Sequence, residues 1–112
     1  MSNKTVWVIL FGGAGREACI EKILSAGFRV SAILVPQSRS VKLDYSLKSL
    51  KSLNCQVTEV TRESLPTKLL SYAGKSLLSI GFPYLVPSSS LSLFHPAINI
   101  HPTLLPRYRG PT

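Results

Sequence analysis

Asn99 and His101 stand two residues apart at the end of a short apolar run, Ala97-Ile98-Asn99-Ile100, and Pro102 follows them. Alternation along a strand sends residues i and i+2 to one face, so an amide and an imidazole leave this strand side by side. An amide N–H can donate to an oxygen that is gaining negative charge, and an imidazole can move a proton near neutral pH. Pro102 and Pro106 stop both strand and helix, so the pair is expected to emerge from a buried strand into a stiff loop. The same two residues also fit a turn-capping amide and a satisfied core histidine. Spacing alone does not separate the two readings.

Positioning such a pair requires strands that end on one rim, and the chain supplies a regular alternation of strands and helices. Val6 to Phe11 is a continuous apolar run, as in a central parallel strand buried on both faces. From Ala14 to Ala26 the spacing of Ile20, Ile23 and Leu24 is helical, and Gly27 ends that helix. Arg29 to Val35 is a second apolar strand, which makes the opening a βαβ unit. Ser40 to Leu53 places Leu43, Leu47, Leu50 and Leu53 at helical spacing, with Lys42, Lys48 and Lys51 on a solvated face. Cys55 to Val60 alternates as a strand near a sheet edge does. Ser64 is placed to cap a helix from Leu65 to Ala73, with Pro66 in its first turn and Gly74 past its end. Ser76 to Ile80, a short helix from Ser88 to Phe94, and Ala97 to Ile100 complete the pattern. It predicts an α/β, Rossmann-like fold with a mostly parallel sheet of about five strands.

Sites in such sheets lie beyond the carboxyl ends of the strands, and two further loops fall there. Gly13-Ala14-Gly15-Arg16-Glu17-Ala18 fits the G-x-G-x-x-G/A dinucleotide fingerprint, in which backbone amides and a helix N-terminus approach a phosphate. The acidic ribose partner expected after the second strand is missing, and Val35-Pro36-Gln37-Ser38-Arg39 stands there instead. Arg39 would suit the 2′-phosphate of NADP; alternatively the glycines only make a tight turn. The second loop, Gly81-Phe82-Pro83-Tyr84-Leu85-Val86-Pro87, has neither helical nor strand period. Its aromatic residues either plug the core or shelter a ligand.

The longer string Asn99-Ile100-His101-Pro102-Thr103-Leu104-Leu105-Pro106-Arg107-Tyr108-Arg109-Gly110 closely resembles the signature of the folate-dependent formyltransferases, the family of methionyl-tRNA and amino-sugar N-formyltransferases. The resemblance implies transfer of a formyl group from 10-formyltetrahydrofolate to a primary amine, with tetrahydrofolate as product. It implies Asn99 and His101 as catalytic residues and Thr103, Leu104, Leu105 and Pro106 as folate contacts. It further implies that Gly81, Phe82, Tyr84, Leu85 and Val86 shelter the pteridine ring, and that Gly13, Gly15 and Arg109 contact the acceptor. That family completes its catalytic trio with a downstream Asp, and no Asp or Glu follows Glu63 here. Residues 1–112 are therefore expected to be the N-terminal part of a catalytic domain, truncated before that carboxylate, binding folate but transferring little formyl. Such a part should leave an exposed sheet edge through which copies associate as a homo-oligomer. The rival is a non-catalytic nucleotide- or folate-binding module on the same fold.

Composition agrees with one folded domain: 112 residues, 45% hydrophobic, 16% charged. Thirteen Lys and Arg against five Asp and Glu give +8 at pH 7, which favours anionic partners. A folate polyglutamate, a nucleotide sugar, a tRNA and a carrier-bound aminoacyl group all qualify. Cys19 and Cys55 lack any C-x-x-C or His-rich neighbour, so buried free thiols in a reducing cytoplasm are expected, and no metal site. The apolar start is far shorter than the about 20 residues of a membrane span, and no membrane partner is expected.

Overall fold

Six consecutive apolar residues form β1 (Val6–Phe11), and four of them, Val8 to Phe11, are completely buried. A strand with no polar face survives only at the centre of a sheet covered on both sides, and β1 holds that position. A computed structural model of the chain describes residues 5–13, 15–37, 41–51 and 55–100. His101, Thr103, Leu104, Leu105, Pro106 and Arg109 of the expected site, and Arg39, lie outside the described residues.

The elements that follow β1 are α1 (Glu17–Ser25), β2 (Arg29–Pro36), α2 (Val41–Lys51), β3 (Val57–Val60), α3 (Leu65–Leu70), β4 (Ser76–Ile80), α4 (Ser88–Leu91) and β5 (Ala97–Ile100). The five strands form one all-parallel sheet in the order β3-β2-β1-β4-β5. The chain winds outward from β1 to β3, then returns past β1 to lay down β4 and β5, so the order reverses between β1 and β4. This is an α/β, Rossmann-like arrangement. Alternate residues of each strand serve two cores. On one face Ile9, Phe11, Ile33 and Ile80 meet Ile20 of α1 and Leu43, Leu47 and Leu50 of α2. On the other, Val8, Leu10, Leu34 and Leu77 meet Leu65 and Leu69 of α3, with Phe94 closing the layer.

Local chemistry explains several element ends. Helix α1 starts at Glu17, not at residue 14, because Gly15 and Arg16 complete a turn in which the Arg16 N–H donates to the Gly13 carbonyl at 2.8 Å. It stops in a Schellman motif: Gly27 at φ +93° donates to Leu24 O (3.0 Å), and the Phe28 N–H donates to Ile23 O (3.2 Å). Ser64 is not a side-chain cap for the amides of α3. Its N–H instead donates to Thr61 Oγ1 (3.0 Å) while its own Oγ accepts from the Thr61 N–H (2.9 Å), because residues 62–64 already turn helically and the cap moves back to Thr61. Helices α3 and α4 are shorter than their apolar spacing suggests, since residues 71–74 and 92–96 continue as turns.

The fifth strand departs most from expectation. Expected as a buried strand, β5 is exposed at all four residues, because among the described residues it pairs only with β4. The register partners Leu78↔Ile98 and Ile80↔Ile100 point both isoleucines to the α1 and α2 face, where no described helix reaches them, and they remain 44% and 43% exposed. Cys19 and Cys55 are free and only half-buried, not fully buried as expected. Among the described residues no helix is long and apolar enough to cross a membrane.

Candidate functional site

β4 stays paired with β1 as far as Phe11↔Ile80, and the loop after β4 begins tied to β5 through the Gly81 N–H and Ile100 O. A cleft of about 400 Å³ opens beneath that loop. Its floor comes from strand alternation: the register pairs Leu77↔Ala97 and Ser79↔Asn99 turn these four side chains to one face of β4 and β5. Two apolar residues thus lie at one end of the floor, and a hydroxyl and an amide lie toward the carboxyl-end rim. The wall is Phe82 to Val86, and Leu91 of α4 closes the side.

The wall is stiffened by aromatic contacts. Phe82 and Tyr84 meet edge to face, centroids 5.3 Å apart at 77°, and the Arg62 guanidinium carbon lies 5.2 Å from the Tyr84 ring centre. Phe82, Tyr84 and Val86 are half-buried and pack against the α3-side core while also lining the cleft, so core plug and cleft wall are one structure. Leu85 is 90% exposed at the lip, where a ligand could cover it. At the rim the Gly81 N–H donates to Ile100 O at 3.3 Å, carrying the ladder between β4 and β5 into the loop.

Asn99 and the Gly81-to-Pro87 loop therefore share one rim, as strand alternation predicts. His101 and the folate contacts expected at 103–106 lie outside the described residues, as does Arg109. Gly13 and Gly15 are on the same rim but not in this cleft. The Gly12 and Gly13 N–H groups donate to Ile80 O (3.0 and 3.1 Å), and the Gly15 N–H donates to Ser46 Oγ (3.0 Å). Among the described residues lining the cleft none is charged. No group of three or more His, Cys, Asp or Glu side chains converges among the described residues to hold a metal.

Sequence reasoning missed Ser79, Ala97, Leu91 and Arg62. Ser79 carried a signal, a hydroxyl in the otherwise apolar Leu77-Leu78-Ser79-Ile80, and Ala97 follows from Asn99 by the period of two. Arg62 carried none, because its contact with Tyr84 joins segments 22 residues apart (84 − 62). No protein-family model and no curated protein matches the chain.

Chemically, the cleft offers a flat apolar slot with amide and hydroxyl groups at one end. That suits a planar heterocycle held by shape, with a reacting group delivered beside Asn99.

Proposed function

We propose that the protein binds a reduced folate in the β4–β5 cleft and transfers a formyl group from 10-formyltetrahydrofolate to a primary amine. The observation that carries this reading is the position of Asn99. It opens the twelve-residue string that resembles the formyltransferase signature, and it lines the same cleft as Phe82 to Val86. The residues fit the group. A cleft of about 400 Å³ is within the size range of small-molecule sites, and its apolar floor and aromatic wall match a fused heterocycle.

The folate supplies the formyl group as the electrophile. Asn99 donates its amide N–H to the formyl oxygen as that oxygen gains charge under attack by the amine. Leu77, Ala97 and the Phe82–Tyr84 pair hold the ring and exclude water from one side of it. The acceptor is an anionic amine, on a nucleotide sugar, a methionyl-tRNA or a carrier-bound aminoacyl group, in keeping with a chain charge of +8. The setting is the cytoplasm, with self-association through the β5 edge.

Binding is tested by calorimetry with 5-formyltetrahydrofolate, a stable reduced folate, which should bind saturably and be competed by tetrahydrofolate. In whatever length of the protein turns over, Asn99→Ala should lower amine-dependent release of tetrahydrofolate by roughly 10²-fold or more, with folate affinity changed less. No binding of reduced folate at millimolar concentration would overturn the reading. Saturable binding of a dinucleotide in its place would move the protein to the non-catalytic nucleotide-binding class.

A further inference from the structure

Where the strand order reverses, the turn after β1 and the loop after β4 touch through bare backbone. A Cβ on Gly12 would stand 2.6 Å from the Gly81 carbonyl oxygen, 2.7 Å from Pro83 Cδ and 3.0 Å from Phe82 Cα. Real Cβ contacts do not come that close, and two of those three atoms are backbone that cannot swing aside. From the other side, a Cβ on Gly81 would lie 3.0 Å from Gly13 Cα, and Gly81 itself has φ +63°. One carbonyl, Ile80 O, accepts from both the Gly12 and Gly13 N–H groups. The turn is thus fastened to the strand end from which the cleft wall departs.

Among the described residues of the turn, the backbone N–H groups of Gly12, Gly13, Gly15 and Arg16 are turned to acceptors within the protein and away from any anion. Gly12 and Gly13 donate to Ile80 O, Gly15 donates to Ser46 Oγ, and Arg16 donates to Gly13 O. Ser46 is itself 3% exposed on the buried face of α2, so the acceptor it offers Gly15 is built into the core. An anion cradle needs backbone N–H groups that point outward without partners, and these four already have acceptors within the protein.

We infer that Gly12 and Gly13 are positioning residues for the cleft and not a phosphate cradle. The missing side chain of Gly12 lets the turn nest against Gly81, Phe82 and Pro83, and the Gly13 N–H fastens it to Ile80 O, which together set the height of Phe82 and Tyr84 over Leu77 and Ala97. The turn and the cleft act as one unit, so the fingerprint-like spacing serves a ligand that the turn does not touch. The inference rests on the proposed function only for its choice of ligand.

The experiment uses the ¹⁵N-labelled 112-residue chain, with amide shifts followed by NMR and melting recorded in parallel. Gly12→Ala should shift the Phe82, Tyr84, Leu85 and Val86 amides while those of β2 and β3 stay in place. It should weaken 5-formyltetrahydrofolate about tenfold or more at a temperature where both proteins are folded, the loss expected from about 1.4 kcal/mol of contact with a displaced wall. A role in stability alone would lower the melting temperature and leave affinity of the folded protein unchanged. Should Gly12→Ala not fold, Pro83→Ala reports the same contact from the exposed side and should shift the Gly12 and Gly13 amides. Inorganic phosphate and pyrophosphate should produce no saturable shift at Gly12, Gly13 or Gly15. Unmoved wall amides in Gly12→Ala, unmoved turn amides in Pro83→Ala, or saturable phosphate binding at the turn would each overturn the inference. If the wild type fails to bind the folate, the functional reading falls while the amide shifts still decide the coupling.

Discussion

At the scale of single residues, position in the sheet decides what each chemical group can do. Asn99 reaches the cleft because its register partner is Ser79, and its neighbours Ile98 and Ile100 face the other way for the same reason. A slip of one residue in that pairing would turn the Asn99 side chain away from Ser79 and the cleft. Cys55 shows the electrostatic side of burial. It precedes β3 half-buried, and desolvation raises its thiol above the ordinary range, because the thiolate is the form that burial penalises. Alkylation of Cys55 by iodoacetamide should therefore follow a rate profile displaced to higher pH than that of the same thiol in urea-unfolded chain. The sign for stability follows. The unfolded thiol ionises first as pH climbs, so the contribution of this group is present below the ordinary thiol range and lost as pH rises through the raised value. Coincident profiles for folded and unfolded protein would contradict this.

Among the elements, α1 illustrates how a local signal survives into the fold. Gly27 adopts φ +93°, and a Cβ there would meet nothing within 4 Å, so substitution tests backbone strain without a clash. Gly27→Ala should destabilise the protein by about 1–2 kcal/mol, the usual penalty for a left-handed L-residue, read as a lowered urea midpoint at unchanged slope. A midpoint within error of the wild type would show that the Schellman turn relaxes without it. The turn before α3 makes the opposite point. Ser64 has the right identity for a cap, yet its hydroxyl serves Thr61, because the helical turn had already begun three residues earlier. Side-chain identity nominated a cap, and backbone geometry chose which residue filled it.

For the whole molecule, the layering predicts a gradient of stability across the sheet. β1 is flanked by β2 and β4 and buried from both faces, whereas β5 is an exposed edge of four residues among those described. Amides of β1 should exchange with deuterium most slowly, close to the global unfolding limit, and those of β5 fastest among the strands. Protection of β5 equal to that of β1 would mean that something covers its exposed isoleucines in solution, and sedimentation of the same sample would show whether that is a second copy.

Much of this protein could be read from its residues. The continuous apolar run Val6 to Phe11, the leucine spacing of α2 and the placing of Gly27 all depend on interactions within a few residues, and each fixed an element close to its observed bounds. The rim shared by Asn99 and Gly81 to Pro87 was also legible, because parallel strands must end on the same side. Tertiary structure alone decided the rest. That β5 is an exposed edge depends on which strands pair, the Arg62–Tyr84 contact depends on how α3 packs, and the acceptors of the Gly12, Gly13 and Gly15 amides come from β4 and α2. Spacing reports the conformations a segment can adopt, whereas the partner of a donor, a ring or a strand edge is set by chain that is distant in sequence and brought close only by folding.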